Sequence, residues 1–147
     1  NPPLRTSDDV KAMIEGLKDG TIDCIASDHA PHSIEEKEME FEYAPNGILG
    51  LETTLSLTLH HLYHGGVLSI NQIIEKLSVN PRKLLKIPIP AVKEGERANL
   101  TIFNPDAERM VKVSRFKSKS KNSPFDGYVL KGSPVAIFNK GKLITAE

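Results

Sequence analysis

Asp28, His29 and His32 lie together in Ser27-Asp28-His29-Ala30-Pro31-His32, the segment of this sequence with the most chemistry to offer. A carboxylate and imidazoles can bind zinc, and a carboxylate beside a metal-bound hydroxide can accept a proton and pass it on. Spacing by itself argues weakly. Asp-His-x-x-His occurs often without a metal, so an ordinary polar turn stands beside the metal reading. His60 and His64 have the spacing to share a helix face with His61 between them, but no carboxylate completes the pattern. Surface or helix-end histidines are the favoured reading there. Cys24 falls inside an apolar run, which favours an inert buried thiol over a nucleophile.

The elements that must position these groups follow from periodicity. Thr6 or Ser7 caps a helix whose Val10, Met13, Ile14 and Leu17 repeat at helical spacing, with Asp8 and Asp9 at its positive end and Gly20 as terminator. Ile22 to Ala26 then reads as a short buried strand ending at Ser27-Asp28. Helix, strand, then polar residues at the strand's carboxyl end is the repeat of a parallel α/β protein, whose active site lies at that edge. Ser33 to Asn46, carrying Glu35, Glu36, Glu38, Glu40 and Glu42, reads as a solvated loop. Gly47 to Gly50 leads into a helix bearing Leu51, Leu55, Leu59 and Leu62, closed by Gly65-Gly66. Ser69-Ile70-Asn71-Gln72 is a capping box, and Asn80-Pro81 is expected to open one more short helix.

The last third changes character. Leu100 to Phe103, Met110 to Val113, Val135 to Phe138 and Leu143 to Thr145 are short β runs, with Asn104-Pro105-Asp106 and Asn139-Lys140-Gly141-Lys142 as turns. The spacing predicts an α/β body over 1–90 and a small β module over 91–147. Arg109 to Lys121 is basic with no acid, yet it lacks interleaved aromatics. A solvated or inter-domain face is favoured over a polyanion site.

Composition narrows the function classes. Nineteen basic and nineteen acidic side chains cancel over 147 residues, which gives no support for nucleic acid or an anionic membrane as partner. No apolar run approaches the roughly 18–20 residues of a bilayer span. One cysteine excludes an internal disulfide and fits a reducing, cytoplasmic setting. The Asn1-Pro2-Pro3 start, without an initiator Met, is read as that of a processed or excised piece.

Several segments stand in one register. They are Asn1-Pro2-Pro3-Leu4-Arg5, Ala26 to His32, Gly47-Ile48-Leu49-Gly50-Leu51-Glu52-Thr53, Asn80-Pro81-Arg82, and Ser118-Lys119-Ser120-Lys121-Asn122-Ser123-Pro124-Phe125-Asp126-Gly127. In order and spacing the chain resembles the carboxy-terminal portion of class I dihydroorotases, zinc amidohydrolases of pyrimidine synthesis. The resemblance implies the last part of a (β/α)8 barrel plus part of a small β-sandwich. It implies reversible hydrolysis of the cyclic amide of dihydroorotate to N-carbamoyl-aspartate. Asp28 matches a metal ligand that also takes the proton from the hydroxide. His32 and Asn1 match groups that hold the substrate, and Gly47 a position whose backbone meets the pyrimidine ring. His29 carries over no direct role. A homo-oligomer and association with aspartate transcarbamoylase are the partner readings that come with the family.

The family's other metal ligands begin with a His-x-His pair, and no His-x-His occurs in this sequence. Asp28 cannot hold two metals by itself, so the chain is expected to be an incomplete portion of an enzyme. Asn46 stands where proline or an aromatic is common in the family. Allantoinase or hydantoinase chemistry is the nearest alternative, with His32 and Asn1 arguing for dihydroorotate. A non-catalytic piece with an assembly role is the other.

Overall fold

The computed structural model describes residues 3–146. The expectation for Asn1 lies outside them. Helix α1 spans Ser7–Asp19, closed as expected at both ends. Thr6 and Asp9 form a reciprocal capping box, and Gly20 takes the left-handed conformation after the last turn.

Ile22 to Ala26 is not a strand. Among the described residues it pairs with no other strand and runs as extended chain along a helix. That helix begins at α4 (Ile70–Ile74), widens to a π turn at Glu75–Val79 and continues as α5 (Asn80–Leu84). Ser69 and Gln72 cap its start reciprocally. Asn80 is therefore helix interior, a correction to the expected new start at Asn80-Pro81. The π turn has a local reason. In its wider register the carbonyl of Lys76 would look to residue 81, but Pro81 has no N–H. The Ile25 amide donates to that carbonyl instead, at 3.1 Å. Buried Lys76 Nζ donates to the Ile22 carbonyl at 2.6 Å, and Asn80 Nδ2 to that of Asp23 at 3.0 Å. The backbone groups that a sheet would satisfy are met in part by one helix.

Ser33 to Asn46 is not wholly loop, because Ser33 and Glu36 cap a single helical turn, α2 (Ile34–Lys37). The expected leucine helix forms as α3 (Thr54–Thr58) and runs on through a π turn at Leu59–Tyr63. Leu59, Leu68 and Ile73 make the buried centre, with Leu17, Leu55, Leu62 and Phe103 packed around it.

The tail is a three-stranded antiparallel sheet in the order β1 (Leu100–Met110), β2 (Val129–Asn139), β3 (Lys142–Thr145). Asn104-Pro105-Asp106 is no turn between strands. It is an irregularity inside β1, where the pairing shifts between Asn104 and Glu108, and Asn104 Oδ1 accepts from the amides of Asp106 and Ala107. Met110 accordingly ends β1 rather than beginning a separate strand. The Lys140-Gly141 hairpin turn forms as expected, both residues at positive φ. Gly132 brings β2 onto the leucine helix. Its φ is 93°, and a Cβ there would lie 2.6 Å from Leu59 Cβ. The structure thus has helices, an antiparallel sheet and one extended segment at the candidate site. Among the described residues no helix is long and apolar enough to cross a membrane.

Candidate active site at the Asp28 turn

After the extended segment the chain turns at Asp28, whose φ is 50°. Asp is among the few residues that tolerate this left-handed geometry, which costs on the order of 1 kcal/mol. Asp28 Oδ1 accepts from the His29 amide at 2.7 Å and so braces its own turn. The residue is exposed and lines an open, mainly apolar cleft of about 620 Å³ with Cys24, Ser27, His29, Leu51 and Leu84. Cys24 is half-buried and faces this cleft, more accessible than the buried thiol its apolar setting suggests.

His29 has a positioning role. Its Nδ1 accepts from the amides of Gly50 and Leu51 at 3.3 and 3.4 Å, which sets the Asp28 turn against the glycine loop and leaves the Nε2 nitrogen to carry the ring proton. His32 is held through its Nε2. Its Nε2 lies 3.1 Å from the Asn46 carbonyl, to which it donates, and its Nδ1 lies 3.7 Å from Glu36 Oε2.

Gly47 meets His32's loop at close range. With φ at 99° and a notional Cβ only 2.5 Å from that of Ala30, no side chain fits without displacing the Asp28–His32 turn. The Ala30 amide donates to the Ile48 carbonyl at 3.0 Å. On the outer side, Lys37 Nζ donates to the carbonyls of Pro45 and Gly47 at 2.8 and 3.2 Å. Asp28, His32 and Gly47 therefore belong to two segments joined directly.

Sequence reading missed what joins them from behind. Asn122 reaches both segments from the basic stretch, and Glu52 accepts from the amides of Lys117 and Ser118 at 2.8 and 3.1 Å. Those Glu52 bonds make the basic run in part an inter-element seam, and Lys121 Nζ braces the run internally by donating to the carbonyls of Phe116 and Ser118. The polar Asn122-Ser123-Pro124 at the end of the basic run carries no local signal for such a contact.

His60 and His64 also face inward. His60 Nδ1 accepts from the Lys131 amide at 3.1 Å and His64 Nε2 lies 2.8 Å from the Pro105 carbonyl, so both tie the leucine helix to the sheet. His61 has its pKa lowered, chiefly by burial and secondarily by neighbouring His60.

Zinc does not fit the described residues as a complete centre. Among them no group of three His, Cys, Asp or Glu side chains is placed to hold a metal. Asp28 offers one carboxylate, and its Oδ1 already serves the His29 amide.

Known proteins place this arrangement. The dihydroorotase of Acetivibrio thermocellus is 51% identical over 147 residues, all of this chain and 34% of that protein. The chain thus spans about a third of the length of the curated relatives it matches. The L-hydantoinase (dihydropyrimidinase) of Arthrobacter aurescens superposes with a TM-score of 0.89 at 35% identity, covering 98% of this chain and 33% of that one. The inactive dihydroorotase-like domain of the Chaetomium thermophilum CAD-like multifunctional protein shares the fold at a TM-score of 0.68 and 20% identity, over 95% of this chain and 36% of that one. The pattern of the amidohydrolase family runs from residue 2 to residue 144, and with the whole of the Asp28 turn, the glycine loop and the Asn122 stretch inside it, the chain belongs to that family.

Proposed function

We propose that the whole protein is a dihydroorotase and that this chain forms one wall of its active site. The observation that carries the reading is the direct joining of the Asp28–His32 turn to the Gly47 loop, in a chain 51% identical throughout to a protein named dihydroorotase. In this reading Asp28 places its carboxylate at the cleft mouth for proton transfer. His32 presents Nε2–H to the carboxylate of dihydroorotate, and Gly47, on the family resemblance, is a backbone contact to the ring. Asn1 is proposed as a further substrate contact. Zinc, implied by the family, would need ligands from the remaining two-thirds of the length seen in relatives, with Asp28 one among them. The partner is a small-molecule cyclic amide, and the setting cytoplasmic.

A hydantoinase-type activity is the second reading, favoured by the 0.89 superposition on L-hydantoinase. Turnover assays on the full-length protein with dihydroorotate, allantoin and a 5-substituted hydantoin separate the two. Dihydroorotate should be converted to N-carbamoyl-aspartate with kcat/KM at least about a hundredfold above the others, since a site built for a carboxylate rejects analogues lacking it. Consumption of hydantoin or allantoin alone would overturn the substrate assignment. Silence toward all three would favour a non-catalytic homologue.

A further inference from the structure

Asn122 makes four hydrogen bonds to the candidate site, spread over both substrate-facing segments. Its side-chain Nδ2 donates to the Ala30 carbonyl at 2.8 Å and to the Gly47 carbonyl at 3.4 Å. Its Oδ1 accepts from the His32 amide at 3.3 Å, and its backbone carbonyl accepts from the Leu49 amide at 3.1 Å. An amide is the side chain this place calls for. It must donate to carbonyls on one side and accept from an N–H on the other, and a carboxylate or an ammonium can do only one of these.

The support behind Asn122 is itself fastened to the site. Glu52, at the end of the glycine loop, accepts from the amides of Lys117 and Ser118. Lys121 Nζ ties the carbonyls of Phe116 and Ser118. The stretch that carries Asn122 is thereby held by the loop that Asn122 holds.

We infer that Asn122 is a positioning residue that fixes the distance between His32 and the Gly47 backbone, and so sets the affinity of the site for its cyclic amide. The inference rests on the reading of His32 and Gly47 as substrate contacts. Asn122 touches neither the cleft lining nor Asp28, so its loss should weaken binding more than it slows bond breaking.

The test uses the full-length protein with Asn122→Ala and Asn122→Asp. Asp keeps the acceptor for the His32 amide but sets a carboxylate oxygen against the carbonyls of Ala30 and Gly47. KM for dihydroorotate should rise about tenfold in either variant while kcat stays within about threefold, the pattern of lost uniform binding. Amide exchange at His32 should speed up by about tenfold or more in Asn122→Ala, as an opened local hydrogen bond allows. In a His32→Ala background the KM effect of Asn122→Ala should shrink by at least about threefold, because coupled residues are not additive. Unchanged exchange at His32, an unchanged KM, or effects on KM that simply multiply would each overturn the proposal. If Asn122→Ala does not fold, Asn122→Asp carries the KM reading, and Asn122→Leu, which has no acceptor for the His32 amide, carries the exchange reading. If the parent turns over another cyclic amide instead, the substrate reading fails, and the same three readings on that amide still decide the role of Asn122.

Discussion

Asp28 holds a left-handed backbone, accepts from the next amide with its carboxylate and lines the cleft, and these properties separate when the residue is changed. Asn tolerates the same φ and can still accept from the His29 amide. Asp28→Asn should therefore leave the melting temperature of the full-length protein within about 2 °C while kcat falls about 10²–10⁴-fold, the usual worth of a positioned acid or base. Asp28→Ala should add a stability loss of about 1 kcal/mol from the missing hydrogen bond, read by denaturant titration. At Gly47 the obstacle is geometric. Gly47→Ala meets both the φ of 99° and the Ala30 methyl, so KM for dihydroorotate should rise at least about tenfold. Asp28, His32 and Gly47 were singled out from the sequence through the resemblance to dihydroorotases, since the spacing of Asp28 and His32 alone argues weakly. Asn122's contacts were not, since its partners lie 73–92 residues away and no local pattern records them.

Gly132 of β2 packs closely on the π turn at Leu59. Gly132→Ala combines an unfavourable φ with a collision against a fully buried leucine, and should destabilise the protein by about 2–5 kcal/mol, seen as a lower denaturant midpoint. His61 lies on the same turn. Its folded pKa lies below the ordinary 6.5, so the unfolded chain binds more protons as pH falls below that value. His61 is largely exposed, so solvent screens the effect, and the part of stability it contributes is present above about pH 6.5 and declines only slightly as pH falls below that value. His61→Gln should accordingly gain on the parent between pH 7.5 and 5.5, and a constant difference in midpoint would contradict the burial argument. Helix caps at Thr6 and Ser69 were readable because capping is local chemistry. The π turn before Pro81 was not, because a proline after Asn80 signals a helix start equally well.

At the scale of the molecule, the cleft beneath Asp28 exposes Leu51, Leu84 and Leu85, the last at 70%. Phe41, Ile144 and Leu143 are also mostly exposed. Apolar surface of this extent points to contacts beyond the 147 residues. The isolated chain should bind a hydrophobic dye and self-associate, and a monodisperse monomer without dye binding would count against the wall reading. Ile22 to Ala26 belongs to the same argument. Its composition is that of a buried parallel strand, yet a strand is defined by neighbours, and the helix carrying Lys76 and Asn80 supplies the contacts found here.

The sequence by itself determined the helix ends, the hairpin turn at Lys140-Gly141, and the residue types at the Asp28 turn and the glycine loop. Those features depend on hydrogen bonds and φ preferences within a few residues. The tertiary structure decided the rest. It turned Ile22–Ala26 from a ladder strand into a helix-backed segment and absorbed Asn104-Pro105-Asp106 into β1. It also made His60 and His64 ties between helix and sheet, and delivered Asn122 to the back of the site. Each of these rests on which distant backbone groups are left unpaired and which side chain arrives to pair them, and short-range pattern does not encode that.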